Sequence, residues 1–296
     1  MGKVTKTGKL KKEKEVRSIT IKSLIQRICT PTTADKRMKA IDSFFRTHPV
    51  DKFDHEELMH VWKGLFYAVW YSEMEKGCEE IMAVIVNVSK NNPEMVKCAF
   101  ETLAIEWFGI DSIRLDKFMY FVRQLTRPLI EMVAGDSESS ILVTVLSSIE
   151  KCLGLILHLC DIFVEEIFKM NQSSEVDFII RCIKPFIDLI ANNADEELSK
   201  HIVKEVLMTT LETLEDKDSP ELLTQTRISV TRLLRKSLLG SDLKKVNRVL
   251  IEKILEVFKP DVEELRSLKR RRRIIPLQVE KNGLIYKRSR IPIAVD

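Results

Sequence analysis

From about Ile19 to Lys259, apolar residues return at steps of three and four, and strand-like alternation is scarce. That spacing puts them on one face of an α-helix, so the chain reads as all-α. It predicts helices over 19–29, 33–46, 54–73, 77–90, 93–108, 114–133, 138–158, 160–170, 175–192, 195–213, 219–238 and 242–259. Several breaks carry their own chemistry. Pro31 separates the first two helices, and Asn91-Asn92-Pro93 places a proline where a first helical turn needs no N–H. Gly135-Asp136-Ser137 opens another gap. Ser219 before Pro220 reads as an N-cap and a first-turn proline. Gly240 and Ser241 read as a C-cap followed by an N-cap, and Pro260 follows the last helix. Pro128 and Pro185 fall inside proposed helices as candidate kinks.

Helices joined by short links suggest antiparallel pairs stacked in series, the HEAT- or armadillo-like α-solenoid. No clean sequence repeat supports that class, so irregularly stacked helical hairpins are the alternative. No apolar run is long enough to cross a bilayer, and the basic start lacks the apolar stretch of a secretory signal. The six cysteines form no CxxC or zinc-knuckle spacing and are expected to be buried, reduced thiols.

Charge divides the chain into three parts. Residues 1–17 carry a net +5 and residues 266–290 a net +9, while the whole chain is only +4. With Asp296 as the only charge beyond 290, residues 18–265 carry −9. The expected organisation is a flexible basic arm over 1–17, a helical scaffold over 18–260 and an extended basic tail over 261–296.

The densest aromatic stretch is VWKGLFYAVWYSE, Val61 to Glu73. Trp62, Phe66 and Val69 fall on one line, with Leu65, Tyr67 and Trp70 beside them. Such a helix is expected to be central and packed on several sides, and Gly64 to admit a close neighbour. An aromatic cage for a cofactor is the less favoured reading. Further on, EWFGIDSIRLDKF lies between the apolar stripe of Phe100, Leu103 and Trp107 and that of Leu115, Phe118, Val122, Leu125 and Leu129. Gly109 is expected as a left-handed C-cap, and Asp111 or Ser112 as the next N-cap. Arg114, Lys117, Arg123 and Arg127 fall outside that stripe and are candidates to meet RNA phosphate or an acidic partner; the alternative is solvated charges with local ion pairs, such as a carboxylate on a neighbouring helix.

WKGLFYAVWYSE together with EWFGIDSIRLDKFMYFVRQLTRP resembles the signature of the eukaryotic nucleolar ribosomal-RNA-processing protein 1 family, over about Ile21 to Phe258. The resemblance implies a helical, nucleolar assembly factor of the large (60S) ribosomal subunit with no enzymatic activity and no cofactor. Its implied partners are pre-60S assembly factors, large-subunit ribosomal proteins and precursor rRNA, with no membrane and no small-molecule substrate. A HEAT-type nuclear transport or signalling adaptor that does not bind RNA is the competing class.

The residues themselves argue against enzyme chemistry. His55 and His60 are five apart rather than four, so the zincin-like run His55-Glu56-Glu57 does not put two histidines on one metal. His48 and His158 have no consistent ligand set around them, and no metal site is expected. No Walker A, Rossmann or G-x-S-x-G pattern occurs. The pairs Glu79-Glu80, Glu165-Glu166 and Glu196-Glu197 read as solvated faces.

The tail RSLKRRRRIIPLQVEKNGLIYKRSR is the strongest chemical signal besides the resemblance. Lys269, Arg270, Arg271, Arg272 and Arg273 are consecutive cations, and Lys287, Arg288 and Arg290 follow. Arginine forks match phosphate oxygens, and Tyr286 can stack on an exposed base. The expected role is an RNA grip. A nuclear localisation signal is a compatible alternative, and packing against the acidic body is the third.

Overall fold

The computed structural model describes residues 6–30, 33–74, 77–135, 139–170, 175–193, 195–217, 219–240, 243–260 and 266. The chain divides into two units, Met1–Lys259 and Pro260–Asp296. The described residues of the first unit are helices and connecting turns, with no strand among them. In chain order they are α1 (Lys6–Cys29), α2 (Ala34–Thr47), α3 (His55–Trp70), α4 (Cys78–Ser89), α5 (Pro93–Glu106), α6 (Ser112–Gly135) and α7 (Ser140–Ile149). There follow α8 (Leu153–Phe168), α9 (Val176–Asn192), α10 (Glu196–Ile202), α11 (Thr209–Asp216), α12 (Pro220–Leu238) and α13 (Lys245–Phe258). A π-helical stretch, Val203–Met208, joins α10 to α11, so the helix expected over 195–213 is continuous but wound more widely in its middle.

From α1 to α9, each helix packs on the one two places along the chain. α1 meets α3, α3 meets α5, α5 meets α7 and α7 meets α9, while α2 meets α4, α4 meets α6 and α6 meets α8. Sequential neighbours close the gaps between these two rows. The alternation becomes irregular at the end, where α12 lies on α9 and α13 on α12.

Local chemistry sets several helix starts. Asp54 caps α3 by accepting from the Glu57 N–H at 2.9 Å, and Glu57 reaches back to the Asp54 N–H at 3.0 Å, forming a complete capping box. Asn92 caps α5 with Pro93 behind it. Ser219 occupies the N-cap of α12 but makes no side-chain cap bond. Pro128 and Pro185 both lie inside helices, α6 and α9.

Four expectations need correction. The arm expected over 1–17 is helical from Lys6, because nothing there forces a stop and its cations find carboxylates on α3. Lys14 Nζ lies 2.9 Å from Asp54, and Arg17 Nε lies 3.0 Å from Glu57. The break expected near Leu159 falls at Glu150–Cys152, where two exposed charges interrupt the apolar run. Gly109 does not have positive φ; it closes a short 3-10 turn, Trp107–Gly109. The C-cap of α12 is Leu239 rather than Gly240, and the N-cap of α13 is Lys244. Pro31, Asp136, Ser137 and Ser241 lie outside the described residues.

The core runs through α3. Trp62, Leu65, Phe66 and Val69 are buried, and α1, α4 and α5 surround the helix. A Cβ on Gly64 would stand 2.8 Å from Ile25 Cγ1, so α1 sits where only glycine leaves room. Phe66 stacks on Phe118 of α6 at 4.6 Å between centroids, with Trp70 6.1 Å from the same ring. Gly154 of α8 receives the Trp107 indole, and a Cβ there would lie 2.7 Å from Nε1.

Two substitutions test this packing by chemical denaturation. Phe118→Ala should cost about 3–5 kcal/mol, as for other fully buried phenylalanines. Gly154→Ala should cost about 1–3 kcal/mol, because the Trp107 ring must move. A loss below about 1 kcal/mol for both would mean that the Phe66–Phe118 and Trp107–Gly154 contacts do not hold the core together.

Candidate functional site

The EWFGIDSIRLDKF segment forms the joint between α5 and α6. Glu106 ends α5, Trp107–Gly109 turns the chain, and the Ile110 N–H bonds back to the Trp107 carbonyl at 3.1 Å. Asp111 then accepts from the Arg114 N–H at 3.0 Å and caps α6. Trp107 points inward and is 8% exposed. Its neighbours point out: Ile105 is 68% exposed, Phe108 81% and Ile113 89%. Three bulky apolar side chains in nine residues therefore face solvent beside a buried tryptophan. The sequence reading missed them, since it assigned apolar residues to the core by default. Their signal was there: none of the three belongs to either stripe.

The four α6 cations do not form a free basic face. Lys117 is buried, and its ammonium donates to the carbonyls of Val69 at 2.9 Å, Trp70 at 3.0 Å and Ser72 at 2.9 Å. It satisfies the carbonyl end of α3, where a cation is also favoured by the helix dipole. Desolvation lowers its pKa from the usual lysine value. The expectation that Lys117 lies outside the apolar face, open to RNA or a partner, is therefore corrected. α6 is covered by α4, α5, α7 and α8, so its buried face is wider than one stripe. Arg114 pairs with Asp111 and lies 4.6 Å over the Trp70 ring.

Arg123 and Arg127 are also engaged within the body. Arg123 Nη1 donates to Glu166 at 2.9 Å and to Glu165, while Arg127 Nε donates to the other Glu166 oxygen at 2.9 Å. Lys169 Nζ reaches Glu166 at 2.9 Å and Glu165 at 2.7 Å. Glu166 is 1% exposed, so the reading of Glu165-Glu166 as a solvated face is corrected for Glu166. Burial works against its charge, but hydrogen bonds from Lys169, Arg127 and Arg123 outweigh it and hold the pKa below the usual value. Lys169 and then Arg123 draw Glu165 down to about 2.

Two further groups bring possible metal ligands within 4.8 Å of one another: His55, Glu94 and Cys98, and Asp161, His201 and Glu205. His60 is not in the first group, since its Nδ1 lies on the Glu56 carbonyl at 2.8 Å. His158 is buried against the Met119 carbonyl at 3.0 Å, and desolvation lowers its pKa. Cys78, Cys98, Cys152, Cys160 and Cys182 are buried, and Cys29 is half-buried. Burial, followed by Glu94 and Glu101, pushes Cys98 up to about 12. Lys269, Arg270, Arg271, Arg272, Arg273, Tyr286, Lys287, Arg288 and Arg290 lie outside the described residues.

The α6–α8 ion cluster makes an acid-stability prediction. Glu165 and Glu166 have pKa values below the ordinary 4.5 in the folded chain, so they bind protons more weakly there than when unfolded. Their contribution is complete above that ordinary value and is lost as pH falls through the folded values, toward about 2 at Glu165. Unfolding free energy measured between pH 6 and 2 should fall less steeply in Glu166→Gln than in the wild type. Parallel profiles would remove the cluster from the account.

A family model described as "Nucleolar protein, Nop52" matches residues 20–249. Curated relatives agree. A ribosomal RNA processing protein 1 homolog of Dictyostelium discoideum is 26% identical over 251 residues, 72% of this chain and 50% of its own. Homolog B of Homo sapiens is 28% identical over 190 residues, 58% of this chain and 25% of its own. The Drosophila melanogaster homolog is 27% identical over 166 residues, 49% of this chain and 24% of its own. The chain thus spans between a quarter and a half of the length of these relatives. The family match covers most of the helical body, including both aromatic stretches, and on that ground the chain belongs to the Nop52 family of nucleolar proteins.

Proposed function

We propose that this protein is a non-enzymatic nucleolar assembly factor that acts in ribosomal RNA processing on precursors of the large ribosomal subunit. The helical body docks partner proteins and the basic tail grips precursor rRNA. The observation that carries the docking role is the exposure of Ile105, Phe108 and Ile113 on a joint whose Trp107 is buried. Exposed bulky apolar side chains gathered on one short segment are a common mark of a protein contact. The two-row packing of helices supports a solenoid-type stack, which presents long surfaces to partners. Relatives named ribosomal RNA processing proteins support the assignment to that process.

RNA contact is assigned to the tail rather than to α6. Arg114, Arg123 and Arg127 already serve carboxylates or an aromatic ring of the body, and Lys117 is buried. The run Lys269–Arg273 has the charge density that displaces counterions from a polyanion. The competing reading is a nuclear adaptor of the HEAT type that does not touch RNA. The net −9 of residues 18–265 favours basic protein partners under either reading.

One recovery experiment separates the two. Tagged full-length protein is recovered with its native particle as wild type, as Phe108→Asp with Ile113→Asp, and with Lys269, Arg270, Arg271, Arg272 and Arg273 neutralised. Every version carries an independent nuclear signal. The double variant should fold normally and lose partner proteins. The tail variant should keep its fold and bind rRNA fragments with a flatter salt dependence, by roughly 0.7–0.9 in log–log slope for each phosphate contact removed. Unchanged particle recovery for both variants, with identical salt slopes, would exclude the docking and RNA roles together.

A further inference from the structure

His55 opens α3, and opposite it α5 carries Glu94, Cys98 and Glu101 on successive turns of one face. The imidazole lies between them. Its Nδ1 is 2.8 Å from Glu94 Oε1 and 3.5 Å from Cys98 Sγ, and its Nε2 is 3.2 Å from Glu101 Oε2. We propose that His55 Nδ1, a Glu94 carboxylate oxygen and Cys98 Sγ are the three protein ligands of a zinc(II) site, with Glu101 as the carboxylate that orients the histidine.

The spacing fits this role. Tetrahedral zinc with Zn–N near 2.0 Å and Zn–S near 2.3 Å sets its ligand atoms roughly 3.3–3.6 Å apart. The His55–Cys98 separation of 3.5 Å lies within that range, and the Glu94 oxygen needs to retreat by only about half an ångström. Glu101 fixes the tautomer: accepting a hydrogen bond from Nε2–H leaves the Nδ1 lone pair directed at the other two ligands. Carboxylate-backed histidines of this kind are the normal outer shell of zinc sites.

The ligand set selects the metal. A thiolate, an imidazole and a carboxylate suit zinc, whereas magnesium and calcium prefer all-oxygen shells. On binding, the Cys98 S–H gives its proton to solvent and the sulfur forms the metal bond. His55 and Glu94 are half exposed, at 48% and 44%, which supplies an entry path, while Cys98 lies beneath them. Lys97 Nζ, 3.4 Å from Glu94 Oε1, is the cation that zinc would displace. Three protein ligands leave the fourth tetrahedral position for water or a partner side chain. The site would clamp the start of α3 to α5, independently of any role in rRNA processing.

The other candidate group is weaker. His201 Nε2 lies 2.7 Å from Asp161, but the Glu205 carboxylate is paired with Lys204 at 2.5 Å and the set contains no sulfur. The alternative for the first group is a histidine held by hydrogen bonds between Glu94 and Glu101 with no metal.

Cobalt(II) distinguishes the two, because a thiolate-bound ion has a near-ultraviolet charge-transfer band that nitrogen and oxygen ligands do not give. Chelator-treated full-length protein should take up one equivalent of cobalt with such a band, and zinc should displace it. Cys98→Ser should abolish the band. Glu94→Gln, at an exposed position that does not threaten folding, should weaken binding at least tenfold, and Glu101→Gln should weaken it about 10–100-fold while keeping the band. Absence of the band in wild-type protein, or its persistence in Cys98→Ser, would overturn the proposal and leave His55 hydrogen-bonded between the two carboxylates.

Discussion

A helix that ends against its neighbours leaves carbonyls that must find donors; at the end of α3 Ser72 Oγ donates to the Ala68 carbonyl, and one lysine serves three carbonyls. Lys117 gives its ammonium to Val69, Trp70 and Ser72. The next residue, Phe118, stacks on Phe66 one turn back along α3. Polar and apolar contacts therefore fix the same pair of helices in the same register. Arg114, one turn before Lys117, lies over Trp70 and holds the cap residue Asp111. The joint before α6 is thereby tied to α3, and the outward direction of Phe108 and Ile113 follows from it. Arg37 repeats the device nearby: it is buried, and its Nε bonds the Ile28 carbonyl near the end of α1 at 2.9 Å.

Buried cations are costly unless fully paired, and the two buried cations among the described residues, Arg37 and Lys117, both meet carbonyls at helix ends. The result is a surface whose arginines are partly committed to the fold. Glu166, itself buried, binds Arg123, Arg127 and Lys169 together, joining α6 to α8. Phe108 and Ile113 remain exposed at the joint, and the basic run lies in the sequence after Pro260. Docking and RNA contact can then reside in different parts of the chain.

Much of the helical organisation was legible in the sequence, because a long 3.6-residue period and proline or asparagine punctuation act locally. The continuity of 195–213, the start of α5 at Pro93 and the central place of α3 all follow from such local rules. The Lys117 role was not legible. A single stripe through Leu115, Phe118, Val122, Leu125 and Leu129 leaves Lys117 outside, but Phe121, four residues later, is buried too, and the two share a second buried edge. The width of a buried face depends on how many helices surround it, and that is tertiary information. The same limit hid Glu166, whose arginine partners lie about forty residues away. His55 and Cys98 meet only because α3 packs on α5. Gly154 had no legible purpose without the Trp107 ring that fills its missing side chain.

The central claim is that Lys117, in the middle of the family-like segment, is a structural clamp rather than a ligand for RNA. Lys117→Met keeps length and apolar volume and removes only the ammonium. Equilibrium denaturation read together with amide exchange at the end of α3 tests the claim most directly. The account predicts a loss of roughly 2–3 kcal/mol, the scale of hydrogen bonds to a charged group, and faster exchange over the last turn of α3. Stability within about 0.5 kcal/mol of wild type, with unchanged exchange and weakened rRNA binding, would contradict it.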